Sequence, residues 1–148
     1  MIGPAEVQNL IGCWWYNYDE GNFDELKKLL SDDAHFTCRT DSGTTEYEEF
    51  VRADIHGRDN VMAWQIDHRS NSGYPLRHNG TNIHIVGNDD ETVFNSYIFV
   101  TNITDGRPFN ISSGRFCGVI RREGNDLRMA KLEVVLDTMS SIAFKDIH

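Results

Sequence analysis

The spacing of apolar residues near the start of the chain predicts two helices. After Pro4, which suits the first turn of a helix, apolar side chains recur at steps of three and four residues. The members of this stripe are Val7, Leu10, Ile11, Trp14, Trp15 and Tyr18. Gly21 and Asn22 interrupt the pattern. A second helix is predicted over residues 23–30, ending at residues 31–33.

Shorter elements are predicted in the middle of the chain. Residues 35–39 favour a short strand, because Phe36 and Cys38 fall on one face of an alternating pattern. Residues 46–55 favour a short helix, and a further helix begins near Asp59. The chain therefore starts with helical elements that have a single short strand between them.

The second half of the chain changes to alternating, β-branched segments that end at turn residues. The predicted strands are residues 81–86, 92–103, 110–122 and 127–136. Asp105-Gly106 is a hairpin signature between two of them. Helices followed by a meander of long antiparallel strands predict one α+β domain over residues 1–148. We expect a cone-shaped, curved mixed sheet with the N-terminal helices on its concave face and a pocket between the two.

Composition and charge narrow the range of partners. The chain has 148 residues, enough for one folded domain, and a net charge of -9. An acidic surface disfavours nucleic acid and anionic membranes, so we expect neither as a partner. The three cysteines lack the close spacing of a metal or redox motif, and the first residues do not resemble a signal peptide. These features predict a cytoplasmic protein with free thiols.

Three segments resemble the SnoaL-like proteins of the nuclear-transport-factor-two-like superfamily, which have a cystatin-like α+β barrel. They are WWYNYDEGNFDELKKLLSDDAHF, RHNGTNIHIVGNDDETVFNSYIFV and GRFCGVIRREGNDLRMAKLEVVLD. The nearest pattern is the branch of scytalone dehydratase and hexachlorocyclohexane dehydrochlorinase. Small subunits of ring-hydroxylating dioxygenases look similar too. The resemblance covers nearly the whole chain.

The resemblance implies a catalytic pair, Asp19 and His78. In the two lyases, an Asp at the end of the first helix and a His at the start of the central hairpin act together. Histidine suits proton abstraction because its ordinary pKa is about 6.5, and a carboxylate on one ring nitrogen fixes the tautomer. The alternatives are structural: Asp19 as a helix cap, although Asn22 is better placed, and His78 as an exposed loop histidine. We predict that the two side chains are hydrogen-bonded and face one pocket.

Further residues are candidates for substrate binding. They are Tyr18, Trp14, Phe36, Cys38, Trp64, Ser96, Arg115 and Phe116. Tyr18 matches an active-site tyrosine of scytalone dehydratase, whereas Cys38 and Ser96 stand where that enzyme has a tyrosine and a second histidine. Arg115 fits equally well as an anion clamp in the pocket or as an outward-facing residue on the convex face. The aromatic residues fit a core role as well as a ligand contact.

The remaining motifs predict a site without metal or cofactor. No glycine-rich phosphate loop is present, and the other histidines lack the i, i+4 spacing of a helical zinc site. These histidines are His35, His56, His68, His84 and His148. Two functions stay open: a dehydratase-like lyase or isomerase acting on a small apolar or aromatic molecule, and a non-catalytic ligand-binding module or oxygenase small subunit. We expect a homodimer paired through the sheet, with a trimer as the alternative.

Overall fold

The computed structural model describes residues 1–147 and contains four α-helices, six strands and a short 3-10 turn. The helices are α1 (Pro4–Asp19), α2 (Phe23–Lys28), α3 (Glu48–Val51) and α4 (Arg58–Ser70). The strands are β1 (Leu30–Thr40), β2 (Ala53–His56), β3 (Leu76–Asn88), β4 (Thr92–Thr104), β5 (Arg107–Glu123) and β6 (Asp126–Leu136). The 3-10 turn is Phe144–Asp146. The predicted α+β class is confirmed.

The six strands form one mixed sheet in the order β2-β1-β6-β5-β4-β3. Strands β3 to β6 are the predicted antiparallel meander, and β6 then pairs in parallel with β1. Asp105 and Gly106 both have positive φ, at 52° and 74°, which is the geometry of the tight hairpin turn between β4 and β5. Parallel pairing of β1 and β6 brings the N-terminal half of the chain onto the meander.

The helix α1 lies along β3, and α4 packs on β1, so both cover the concave face of the sheet. The buried stripe of α1 is the one predicted from its spacing, and Trp14 is 1% exposed. Glu6 accepts a hydrogen bond from the main-chain N–H of Gly3 at 2.9 Å, which satisfies one free donor at the start of α1. Among the helices described, none combines the length and apolar character needed to cross a membrane.

The strands predicted at residues 35–39 and 81–86 are longer in the structure, as β1 and β3, and two predicted helices are shorter. The second helix ends at Lys28, because Leu30 already belongs to β1 and pairs with Met129 of β6. The helix predicted over residues 46–55 is only α3, and its second half is the edge strand β2, which pairs with β1. In both places a long-range strand pairing overrides the local helical pattern.

Two glycines on β5 allow the sheet to bend sharply. A Cβ atom at Gly114 would lie 2.3 Å from the main-chain oxygen of Val135, and one at Gly118 would lie 2.1 Å from that of Lys131. These distances are far below van der Waals contact, so any side chain would force β5 and β6 apart. Glycine within a strand is typical of such tight bends. The bend leaves room on the concave face beneath α1 and α4.

Candidate active site

A cavity of about 400 Å³ lies between the helices and the concave face of the sheet. This volume is within the range of small-molecule sites. Most of the lining is apolar or aromatic, and it includes Trp14, Trp15, Tyr18, Phe36, Cys38, Trp64, Leu76, Ile98, Val100, Val134 and Leu136. Polar groups enter from Gln65, His68, His78, Asn102 and Ser112. The cavity is therefore suited to a mainly apolar ligand with a few polar atoms.

Asp19 and His78 form the hydrogen bond that the sequence predicted. Asp19 is the last residue of α1, and His78 lies near the start of β3, so the helix end meets the strand beginning. One carboxylate oxygen, Oδ1, lies 2.6 Å from Nδ1 of His78, and the other accepts the main-chain N–H of His78 at 2.7 Å. The two side chains are only 6% and 13% exposed. The catalytic roles of the pair stay a prediction.

The ring of His78 is fixed by two aromatic neighbours. It stacks on Trp15, with 4.4 Å between centroids and 4° between planes, and meets the edge of Tyr18 at 5.3 Å. Because a carboxylate only accepts hydrogen bonds, Nδ1 carries the hydrogen in this arrangement. Nε2 then keeps its lone pair, as a general base requires.

A second polar pair, Tyr18 and His68, lines the same cavity. The Tyr18 hydroxyl lies 3.0 Å from Nδ1 of His68. Burial raises the pKa of Tyr18 well above its usual range, and burial also lowers the pKa of His68, helped by repulsion from His78. At neutral pH the pair is therefore an uncharged phenol beside an uncharged imidazole.

Sequence reasoning did not include His68 among the site residues. Its ring lies between Phe50 and Trp64, with both centroids 4.4 Å away. The apolar stripe of α4, from Val61 through Trp64, continues to position 68 at helical spacing. That periodicity is the signal that could have placed His68 on the inner face.

Five of the predicted substrate-binding residues line the cavity: Trp14, Tyr18, Phe36, Cys38 and Trp64. Burial raises the pKa of the Cys38 thiol to about 12, so this cysteine is a neutral, apolar part of the wall. Their role in binding stays a prediction.

The other three predicted residues are Ser96, Arg115 and Phe116. Within the described residues 1–147, none of them lines the cavity. Phe116 is fully buried under Trp15, 4.8 Å between ring centroids. Ser96 is buried too, and its hydroxyl donates to the main-chain oxygen of Phe116 at 2.6 Å. Arg115 is exposed, because strand alternation turns it to the convex face while Phe116 turns inward. Of its two predicted placements, the outward one is observed.

A second, larger groove of about 650 Å³ lies on the other side of Trp15 and His78. It runs between α1 and β3, and its lining includes the charged residues Glu20 and Arg77, which pair with each other. His78 borders both spaces, whereas Asp19 borders only this groove. The pair therefore shares the groove, and only its histidine reaches the apolar cavity. The interior cavity is the more apolar and the richer in aromatic groups, so it suits the predicted apolar ligand better than the groove does.

A curved mixed sheet, helices on its concave face and a cavity with an Asp–His pair at the end of the first helix define a protein of the nuclear-transport-factor-two-like class. The chain belongs to the SnoaL-like domain family, whose model matches residues 4–133. The resemblance found in the sequence is thereby confirmed for family and fold. No match is found among curated proteins.

Solved structures share the fold at low sequence identity. An NTF2-like protein with a cystatin-like fold from Novosphingobium aromaticivorans has a TM-score of 0.72 and 18% identity, over 89% of this chain and 80% of that one. A protein provisionally named scytalone dehydratase from the same organism has a TM-score of 0.70 and 17% identity, over 90% and 82%. The beta subunit of benzoate 1,2-dioxygenase from Burkholderia mallei has a TM-score of 0.71 and 17% identity, over 92% and 91%.

Proposed function

We propose that the protein is a lyase or isomerase that removes a proton from a small apolar or aromatic substrate, with His78 as the general base. The observation that carries this proposal is the contact of Asp19 with His78, because His78 itself lines an apolar cavity. General-base catalysis by a positioned histidine contributes roughly 100- to 10,000-fold in rate. The cytoplasmic location stays a prediction.

Asp19 has a positioning role in this proposal. Its two oxygens accept from the ring and from the main chain of the same residue, so the imidazole is held both in tautomer and in direction. The carboxylate would also stabilise the imidazolium that forms when Nε2 takes a proton. Stacking on Trp15 keeps the ring in one plane during that transfer.

Tyr18 would donate a hydrogen bond to a substrate oxygen. Among residues 1–147, the buried Nε2 of His68 has no hydrogen-bond partner. A buried lone pair without a partner is more readily tolerated than a buried N–H, which favours the tautomer with the hydrogen on Nδ1. His68 then donates to the Tyr18 oxygen, and the Tyr18 hydroxyl hydrogen is free for the substrate.

The substrate that suits this arrangement has an acidic C–H next to a carbonyl or similar group. In an elimination, Nε2 takes the proton, the C–H electron pair forms a double bond, and a neighbouring hydroxide leaves. The proton on Nε2 then leaves with that hydroxide as water, so the step balances without a cofactor. In an isomerisation, the same proton returns to a different carbon. Tyr18 would stabilise the charge that develops on the carbonyl oxygen.

Proton abstraction can be tested before the natural substrate is known. Small aromatic ketones are incubated with the protein in D₂O, and exchange of the C–H next to the carbonyl is followed by NMR. We expect catalysed exchange for some members of the panel, and a fall of roughly 100-fold or more in His78→Gln.

Arg115→Gln is the matched control, because Arg115 is exposed on the convex face. It should exchange at the wild-type rate. Catalysed exchange that persists in His78→Gln would refute the assignment of the base, and ketones that bind without exchange would favour a binding module.

A second candidate function is a non-catalytic ligand-binding module or the small subunit of an oxygenase. The observation that favours it is an apolar strip on the outer side of β4, where Val93, Tyr97 and Phe99 are all exposed. Single exposed apolar residues are ordinary, but an alternating row on one sheet face suits association with another chain. We propose that this face forms a homodimer, with a trimer as the alternative.

Sedimentation velocity across a range of concentrations tests the association. We expect a dimer for the wild type and a shift to monomer in Phe99→Glu, because a charge would be desolvated in the interface. A monomer at all concentrations, or a Phe99→Glu variant that dimerises like the wild type, would contradict this placement of the interface.

A further inference from the structure

Three potential metal ligands meet on the face of the sheet opposite to the cavity. His35 on β1 is the register partner of His56 on β2, and Asp54 lies two residues before His56 and therefore on the same side. Phe36, the neighbour of His35, lines the cavity, so His35 points the other way. This cluster is separate from the candidate active site.

The ligand atoms are already close to one another. Nε2 of His35 lies 2.7 Å from Oδ1 of Asp54, and Nε2 of His56 lies 3.8 Å from the same oxygen. One ligand atom from each residue lies within 4.8 Å of the other two. Ligands at about 2.0–2.1 Å in a tetrahedral zinc site are separated by roughly 3.3 Å, so small side-chain movements would suffice.

An exposed hydrogen bond alone is a weak explanation for this arrangement. The side chains of Asp54 and His56 are 74% and 73% exposed, and exposed pairs of this kind contribute little to stability. The two imidazole rings stack at 3.9 Å, which keeps both close to the Asp54 carboxylate.

We propose that His35, Asp54 and His56 form a binding site for a divalent transition-metal ion, with Zn²⁺ as the probe. Two imidazoles and one carboxylate suit Zn²⁺, Cu²⁺ or Ni²⁺, whereas Mg²⁺ and Ca²⁺ prefer oxygen ligands. The ion would link β1 to β2, a strand of four residues at the edge of the sheet. Lys131, the register partner of His35 on β6, lies on the same face of the sheet, and its positive charge opposes that of a bound ion.

The linear sequence did not predict this site, because the spacing sought was that of a helix. Asp54 and His56 have the i, i+2 spacing of a strand, and the third ligand comes from a strand paired across the sheet. Only the pairing of β1 with β2 brings the three together.

Calorimetric titration of the untagged chain with Zn²⁺ near neutral pH tests the proposal. We expect saturable binding of one ion per chain, and a higher melting temperature with Zn²⁺ because the ion binds the folded state. In His56→Ala the affinity should fall at least about tenfold, since even a lost supporting contact around a metal typically costs 10- to 100-fold. Asp54→Asn should show a similar fall.

His84→Ala is the matched control, since His84 is an exposed histidine on a different strand, β3. This variant should bind Zn²⁺ like the wild type. Undetectable binding to the wild type would overturn the proposal. So would binding that survives in both His56→Ala and Asp54→Asn, since the ion would then lie elsewhere. Because both changed residues are exposed, the variants should keep the wild-type melting temperature in the absence of metal, and this is checked first.

Discussion

Arg69 donates two hydrogen bonds to the main-chain oxygen of Asp19, from Nε at 3.0 Å and from Nη2 at 2.8 Å. Its third nitrogen, Nη1, donates to the main-chain oxygen of Gly73 at 3.1 Å. The guanidinium is buried, and it joins the end of α1 to the loop that leads into β3. The two segments that carry Asp19 and His78 are thus fixed to each other by a residue of α4.

Arg69→Lys should destabilise the protein by about 1.5–3 kcal/mol, the contribution of a hydrogen bond to a charged group. Lysine presents a single ammonium and cannot reach both segments in the planar geometry of arginine. The free energy of unfolding in urea measures this change. Arg107→Lys, at an exposed position at the start of β5, is the control and should leave stability unchanged. If Arg69→Lys also leaves the free energy of unfolding unchanged, the hydrogen bonds from Arg69 to the main-chain oxygens of Asp19 and Gly73 do not hold α1 in place.

Asp19→Asn should lower the exchange rate of a responsive ketone by roughly 100- to 10,000-fold, like loss of the base itself. The amide has only one accepting oxygen. Either the ring Nδ1–H or the main-chain N–H of His78 would therefore face the NH₂ group of the asparagine, which is itself a donor. If the ring turns its lone pair to the amide, Nε2 carries the hydrogen and cannot act as the base. NMR exchange in D₂O measures the effect, and the exposed Asp90→Asn should retain the wild-type rate.

Stability should fall as the pH drops below about 6.5, the ordinary pKa of histidine, in part because of His68. Burial lowers the pKa of His68, with repulsion from His78 in the same direction and Asp67 opposing it. Between the lowered pKa and the ordinary one, the unfolded chain binds more protons than the folded chain, so stability rises with pH. This contribution of His68 to stability is fully present above its ordinary pKa. It is lost as the pH falls towards the lower pKa that His68 has in the folded protein.

Urea unfolding at about pH 7.5 and about pH 5.5, either side of the ordinary histidine pKa, measures the change. His68→Asn should lose less stability between the two conditions than the wild type. His84→Asn, at an exposed position, should behave like the wild type. An unchanged pH dependence in His68→Asn would contradict the effect of burial on this ring.

Val100→Trp should abolish binding of apolar ligands to the cavity. Val100 lines the cavity and is 6% exposed, so the larger side chain would occupy the ligand space. Overpacking typically costs about 1–3 kcal/mol, which a melting curve would report. Fluorescence of the apolar dye anilinonaphthalene sulfonate measures binding. Val86→Trp, at a 52% exposed position, is the matched control. Equal dye binding by both variants would place the dye outside the cavity.

The sequence predicted the elements whose patterns are local. Helix α1 has a clear helical period whatever it packs on, and the strands from β3 to β6 alternate and pair with their neighbours in the chain. The edge strand β2 was missed because its four residues gain their structure from pairing with β1, not from their own pattern. The residues after Lys28 likewise leave the helical pattern for a long-range pairing with β6.

The site divides in the same way. Asp19 and His78 could be paired from the family resemblance, and the cavity-lining side of Phe36 and Cys38 followed from alternation. His68 and Arg69 could not be placed, because their roles depend on how α4 lies against the end of α1. Arg115 could not be assigned to a face from strand spacing alone, since alternation gives two faces without saying which is concave.

The close approach of β5 and β6 at Gly114 and Gly118 limits how this chain can diverge. A single methyl group at either position would meet a main-chain oxygen, and a main-chain atom cannot turn aside as a flexible side chain can. Substitution of either glycine would therefore force β5 and β6 apart, whereas a change in the cavity wall alters the space for a ligand without moving these strands. New ligand preferences in this fold would therefore have to arise from changes of the cavity-lining side chains, while the close approach of β5 and β6 stays as it is.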